Sequence, residues 1–143
     1  MKRLIILLTI LLPLSAFAQT LNFDSLIEEY STKEKCTAIK ISNAMLRSME
    51  INIDAEYMQV ISVENSELLP TFTTQAHEAL RGFEVVMSVN RDGKSVEILQ
   101  NTDNKGSVIE IYIMASSNNE CILMRIYGKN LALNNINSLI NTI

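Results

Sequence analysis

The chain has 143 residues, with 12 Lys and Arg against 16 Asp and Glu, so its net charge is −4 at pH 7. The charges are interspersed, and no basic patch supplies the cationic surface needed to bind nucleic acid or an anionic membrane. The composition therefore argues against both partners. The length fits one domain, which can bury about two-thirds of the surface of its unfolded chain.

The first 18 residues have the order of segments that is typical of a secretory signal peptide. Two basic residues precede an apolar run over 4–14, and small residues stand at Ala16 and Ala18. The run is shorter than the about 20 apolar residues that span a bilayer, which argues against a membrane anchor. We therefore expect residues 1–18 to be removed and no stable membrane span to remain. Residues 19–143 are expected to form a single globular domain in the periplasm or cell envelope.

A helix, a strand and a second helix are predicted in the first part of that domain. Apolar residues recur at helical spacing between Leu21 and Tyr30, and Asn22 or Asp24 can cap this helix. Residues 36–41 alternate in polarity like a half-buried strand, and Ser42 can cap the helix that follows.

A second strand is predicted over Tyr57–Val63, which is rich in β-branched and aromatic residues. Because a helix lies between the first two strands, we expect them to be parallel and joined by a right-handed crossover. Pro70 suits the start of a third helix, and Gly82 is placed to end it.

Beyond Gly82 the apolar residues repeat every second position, which predicts a four-strand antiparallel meander. Turns are indicated at Asp92-Gly93, at 104–106 and at 116–119, and a final helix is predicted from Asn130. The order of elements predicts an α+β fold. We expect a mixed β-sheet, with a parallel βαβ start followed by the antiparallel four-strand meander, and helices mainly on one face of the sheet.

Alternation divides the side chains of the last two strands into two rows. One row, together with Ile39 of the first strand, is expected beneath the helices; it consists of Ile109, Ile111, Ile113, Ile122, Met124 and Ile126. The other row is expected to face outwards and is less polar than a solvated sheet face. It supplies a candidate interaction face, which consists of Tyr112, Met114, Leu123, Arg125 and Tyr127. The alternative is that the first helix folds over this second row and buries it.

The chain lacks the residue constellations of catalysis and metal binding. His77, the only histidine, lies beside Glu78 without an identifiable nucleophile or orienting partner, which favours an exposed helical residue. One His and two distant Cys have no zinc-ligand spacing, and the four glycines form no phosphate-binding loop. Glu84, Glu97, Glu110 and Arg125 are expected to form cross-strand ion pairs on the outer face of the sheet. The sequence therefore predicts no catalytic residue, no metal and no cofactor.

The two cysteines are candidates for a disulfide. Export would permit oxidation, and strand alternation places Cys36 and Cys121 on the same, outward face. They could bond if the first and last strands adjoin. The alternative is two independent, half-buried thiols.

Several short segments together resemble a known family. They are the signal peptide, the strand-to-helix junction over 39–45, the Gly82-Phe83 and Asp92-Gly93 pairs, and the ending over 127–143. The chain resembles domain-of-unknown-function family 4252, a family of small exported proteins of the Bacteroides lineage. The resemblance covers nearly the whole of the mature chain and implies no established activity or site residue. Members often lie beside extracytoplasmic-function sigma factors, which implies a link to envelope signalling by association only.

The sequence thus favours an exported, non-enzymatic binding or interaction module whose partner is an unknown envelope protein or ligand. A small-molecule or lipid carrier is the alternative, and it requires an internal cavity. An enzyme is the least supported class.

Overall fold

The computed structural model describes residues 21–50 and 54–132. The elements within them, in chain order, are α1 Phe23–Tyr30, β1 Cys36–Ser42, α2 Asn43–Ser48, β2 Ala55–Val63, α3 Leu69–Ala79, β3 Glu84–Arg91, β4 Lys94–Thr102, β5 Val108–Ser116 and β6 Cys121–Gly128. None of these helices is long and apolar enough to cross a membrane. The predicted signal peptide and most of the predicted final helix lie outside the described residues.

The six strands form one sheet in the order β1-β2-β6-β5-β4-β3, and every neighbouring pair is antiparallel. The meander from β3 to β6 has the predicted connectivity. The predicted parallel βαβ start is wrong, because β1 and β2 pair antiparallel, with Cys36 opposite Val63 and Ser42 opposite Tyr57. The fold is α+β, but its sheet is not mixed.

Helix α2 lies in the short connection between β1 and β2. Its six residues advance only about 9 Å along the helix axis, whereas the seven residues of β1 span about 23 Å. Ser42 caps α2 as predicted, since its hydroxyl accepts a hydrogen bond from the Met45 N–H at 3.4 Å. The helix therefore serves as a compact connection at one end of the sheet.

Helices α1 and α3 both pack on one face of the sheet, which we call the helix-bearing face. Phe23, Leu26 and Tyr30 of α1 and Phe72 of α3 are buried there. The rings of Tyr30 and Phe72 meet edge to face with centroids 4.8 Å apart. From the sheet, the same core contains Ile61, Val63, Leu99, Tyr112, Met114, Cys121 and Leu123. This is the opposite face to the one predicted to carry the helices.

The isoleucine-rich row lies on the other face, which we call the second face. Ile111, Ile113 and Ile126 are buried in a separate core cluster with Leu46 of α2 and Leu131. Both rows of β5 and β6 therefore contribute buried apolar side chains to a core. For this reason the alternation of residue types alone does not show which row lies under α1 and α3.

Candidate interaction surface

The predicted interaction face is wrong for three of its residues, because Tyr112, Met114 and Leu123 are buried in the core. Only 4% of Tyr112 and 0% of Leu123 is exposed. The Tyr112 ring contacts Phe23 of α1 and Phe83, with centroid separations of 6.0 and 4.9 Å. The alternative, in which the first helix folds over this row, is the arrangement observed.

Arg125 and Tyr127 lie on the same face beyond the core and are half-buried. The strand register brings side chains of β1 and β2 beside them: Lys40 is opposite Gln59, which is opposite Arg125, and Tyr57 is opposite Tyr127. We call these five residues the arginine–tyrosine surface. It occupies the end of the helix-bearing face that the described helices leave partly open.

Arg125 is fixed by a salt bridge to Glu110 on the neighbouring strand. Its Nε donates to Glu110 Oε2 at 2.6 Å, and a terminal guanidinium nitrogen lies 2.6 Å from the same oxygen. The Tyr112 hydroxyl also donates to this oxygen, at 2.9 Å, and Asn101 Nδ2 donates to the other oxygen at 2.8 Å. The carboxylate is therefore satisfied on both oxygens. Of the four residues expected to form ion pairs on the outer face, Glu110 and Arg125 pair with each other, on the helix-bearing face. Glu84 and Glu97 form no ion pair among the residues that the structure describes.

The protonation states follow from this network. Burial alone would raise the pKa of Glu110, but the hydrogen bonds from Asn101 and Tyr112 and the charge of Arg125 outweigh it and hold that pKa below its ordinary value. Burial, and then the adjacent Glu110 carboxylate, raise the pKa of Tyr112 well above its ordinary value. At neutral pH Glu110 is thus ionised, and Tyr112 stays protonated and donates its hydroxyl hydrogen.

The start of α1 places a second acid near the guanidinium. Asn22 and Ser25 form a reciprocal capping box, in which the Asn22 side chain accepts from the Ser25 N–H at 2.9 Å. The capped first turn sets Asp24 Oδ1 3.3 Å from Arg125, on a nitrogen that also lies 3.4 Å from Gln59 Oε1. The sequence of α1 therefore helps to position Arg125, 101 residues further along the chain.

Three aromatic rings surround the guanidinium. The centroids of Phe23, Tyr57 and Tyr127 lie 5.9, 5.8 and 5.9 Å from its central carbon. Tyr57 and Tyr127 are stacked on each other, with centroids 5.1 Å apart and planes inclined by 22°. Lys40 Nζ lies 4.6 Å from the centroid of Tyr57. These separations are within the range of cation–π attraction.

Gly128 allows the backbone to close at the end of this surface. A Cβ at this position would lie 2.6 Å from the backbone oxygen of Asp54 and 3.1 Å from the Cα of Ala55. No side chain fits there without a shift of the main chain. The glycine therefore permits the close approach of β2 and β6 beside Tyr127.

The polar groups of the network are occupied by one another. The oxygens of Glu110 and the hydroxyl of Tyr112 are all engaged in hydrogen bonds. The surface presents two tyrosine rings beside the fixed guanidinium of Arg125, with the Lys40 ammonium over one of them. Over residues 21–50 and 54–132, no group of three or more His, Cys, Asp or Glu side chains could hold a metal ion.

Cys36 and Cys121 are free thiols on the helix-bearing face. Each is opposite Val63, from the two sides of β2, so they lie in one row but two strands apart. Strand spacing puts their Cα atoms about 10 Å from each other, beyond the about 7 Å that a disulfide can bridge. The possible disulfide is therefore contradicted, because the first and last strands do not adjoin. The alternative of two independent thiols is observed, although Cys121 is buried rather than half-buried.

Nothing in the sequence alone assigned Asp24, Lys40, Tyr57 and Gln59 to this surface. The signal for Tyr57 was its place at the start of a β-branched and aromatic segment that was predicted as a strand. Only the antiparallel pairing of β2 with β6 brings it beside Tyr127, and no sequence pattern predicted that pairing.

Comparison with known proteins gives a family but no characterised relative. No curated protein and no solved structure matches the chain with significance. Residues 30–139 match the family described as a domain of unknown function, DUF4252. This match spans β1 to β6 and includes all five residues of the arginine–tyrosine surface. The chain therefore belongs to the DUF4252 family.

Proposed function

We propose that this protein is an exported, non-enzymatic interaction module that binds a protein partner of the periplasm or cell envelope through the arginine–tyrosine surface. The observation that carries the proposal is the Tyr57–Tyr127 stack, held beside an arginine whose position is fixed. Tyrosine and arginine are among the residues that most often dominate the energy of protein–protein binding.

The surface is also held in place before binding. Its residues stand on three neighbouring strands, and the salt bridge to Glu110 restrains the guanidinium. Side chains that are already ordered lose less conformational entropy when a partner docks, which leaves more of the contact energy for affinity. A loop of the same composition would bind more weakly.

Export is supported by the sequence of residues 1–18 alone, with its basic start, apolar run and small residues at Ala16 and Ala18. The family resemblance adds an origin in the Bacteroides lineage and a link to envelope signalling. A partner that is itself in the envelope follows from this location.

A second candidate, a carrier of a small amphipathic molecule, is favoured by one cavity. It has a volume of about 290 Å³, an apolar wall from Val96, Ile113 and Ile122, and Lys94 and Glu120 at its lining. Typical ligand pockets span about 300–1,000 Å³, so the volume of this cavity lies just below that range and is small for a lipid. The interaction module therefore remains the first proposal.

Capture of partners from envelope extracts distinguishes the interaction module from the carrier. The tagged mature protein should retain a specific protein, and the Tyr57→Ala and Tyr127→Ala variants should lose it. Ile39→Ala is the matched control, because Ile39 is exposed on the second face of β1. A partner kept by both tyrosine variants would contradict the proposal. A bound lipid without any protein would favour the carrier.

A further inference from the structure

Strand β3 is an edge of the sheet with unusually apolar exposed side chains. It ends the strand order, and within the described part of the chain it pairs only with β4. Val85, Met87 and Val89 are 53, 37 and 45% exposed. Native edge strands are normally protected by charges, proline or a covering element, because their free backbone groups can pair with another strand.

The hairpin geometry shows which backbone groups of β3 point outwards. Asp92 and Gly93 both have positive φ, 52° and 77°, as a two-residue type I′ turn requires. Arg91 is opposite Lys94 and closes the turn as a hydrogen-bonded pair. Alternate pairs of an antiparallel ladder are hydrogen-bonded, so Ser88 and Asn90 direct their N–H and C=O groups away from β4.

A groove runs beside this edge, between α3 and the β3–β4 hairpin. It has a volume of about 540 Å³, and its apolar lining comes from Leu80, Phe83, Val85 and Leu99. The bulge between Val85 and Met87 is what directs Val85 into the groove, since Val85 is opposite Leu99 whereas Met87 is opposite Ile98 on the second face.

The charged lining of the groove is acidic on balance. Glu78 is paired with Arg81 at 2.7 Å. Glu97 also lines the groove and has no ion-pair partner among the residues that the structure describes. An incoming segment with a basic residue near its apolar anchor would complement this carboxylate.

We propose that β3 and this groove bind an extended peptide segment of another protein, which adds to the sheet as a seventh strand. Its backbone would pair with Ser88 and Asn90, and one apolar side chain would enter the groove against Val85 and Leu99. A Lys or Arg two positions away in the peptide, and therefore on the same face, would point toward Glu97. Strand addition obtains affinity from the main chain and specificity from alternate side chains. This site lies at the opposite edge of the sheet from β1 and β2, and it goes beyond the arginine–tyrosine surface.

The test begins with a random ten-residue peptide library displayed on phage and selected on the mature protein. The proposal expects enriched peptides with apolar residues at alternate positions and at least one basic residue. A synthetic copy of an enriched peptide should then slow amide hydrogen exchange at Ser88 and Asn90. No enrichment, or protection confined to other residues, would overturn the proposal.

Two variants separate the groove from the strand edge. Val85→Lys fills the groove with a charge, and Ser88→Pro removes one outward N–H; each should weaken peptide binding at least tenfold. Ile39→Lys is the matched control on the other edge strand, where the side chain is 49% exposed. Peptide binding that is unchanged in Val85→Lys would overturn the role of the groove in binding. If Ser88→Pro lowers the melting temperature, the variant is not informative about the strand edge. The amide hydrogen exchange of Ser88 and Asn90 in the parent protein, with and without the peptide, then decides whether the peptide pairs with the backbone of β3.

Sedimentation velocity distinguishes the remaining occupant, a second copy of this chain. The proposal expects a monomer at micromolar concentration. A dimer that is lost in Val89→Lys but kept in Ile39→Lys would show that two β3 strands pair with each other, and would overturn the peptide site.

Discussion

Arg125 and Glu110 form a salt bridge at 2.6 Å from neighbouring strands, with only 15 and 10% of their side chains exposed. Glu110 in turn accepts hydrogen bonds from Asn101 and Tyr112. The pair thus joins the buried core to the open end of the helix-bearing face.

Removing one member of this pair should destabilise the protein strongly. Glu110→Gln leaves the guanidinium without its main partner, and loss of one side of a buried ion pair costs about 3–5 kcal/mol. We expect about 3 kcal/mol, near the lower limit, because Asp24 remains beside Arg125. Urea unfolding measures the change. The double variant Glu110→Leu with Arg125→Met should lose less stability than the sum of the losses in Glu110→Leu alone and Arg125→Met alone. Strict additivity of the two losses would contradict the coupling of the pair.

Stability should also depend on pH through Glu110. Its pKa is lowered in the folded state, so the unfolded chain takes up the proton first as the pH falls. The stabilisation is therefore complete above the ordinary pKa of 4.5 and is lost as the pH falls through the lower, folded value. Unfolding free energies measured from pH 6 down to about pH 3 should fall less steeply in Glu110→Gln than in the parent. If the unfolding free energy of the two proteins fell with pH in parallel, carboxylates other than Glu110 would be responsible for the pH dependence.

Leu123→Ala should cost about 2–5 kcal/mol, because the side chain is fully buried between the sheet and the helices. The matched control is Val89→Ala on the exposed edge strand, which should change stability by less than about 0.5 kcal/mol. Thermal or urea unfolding separates them. A loss of binding with an unchanged melting temperature in Leu123→Ala would restore the interaction face that the sequence predicted.

Both cysteines should titrate as free thiols in protein purified without reductant, and at different rates. Cys121 is buried, and burial raises its pKa to about 11, so it should react with a thiol reagent only when the protein unfolds. Cys36 is half-buried and should react in the folded protein. An intact mass two hydrogens below that of the dithiol would contradict this assignment.

The mature protein should begin at Gln19, since Ala16 and Ala18 are the small residues that follow the apolar run. Amino-terminal and intact-mass analysis of protein from the envelope fraction checks this. Retention of Met1 on protein anchored in the inner membrane would contradict export.

Local chemistry was sufficient to predict most of the elements but not their arrangement. The Ser42 cap and the Asp92-Gly93 turn depend on residues close together in sequence, and both are present. The direction of β2 and its place beside β6 depend instead on pairings between strands far apart in sequence, which residue types do not show. Without the pairing of β2 with β6, Tyr57 could not be placed beside Tyr127.

The face of the sheet that carries the helices was unpredictable for a different reason. Tyr112 and Leu123 on one side and Ile111 and Ile126 on the other are all buried. When both faces of a strand are apolar, the two-residue period identifies two rows but gives no criterion for ranking them. The pairing of Arg125 with Glu110 was accessible, because opposite charges on neighbouring strands commonly pair.

The most direct test of the proposed binding surface is site-specific photo-crosslinking in intact cells. A benzoyl-phenylalanine residue replaces Tyr57 in one strain and Ile39, on the second face of β1, in another. The proposal predicts one discrete protein adduct from position 57, lost when Tyr127→Ala is added, and none of that size from position 39. An adduct from position 39 with none from position 57 would contradict the arginine–tyrosine surface as the site of binding.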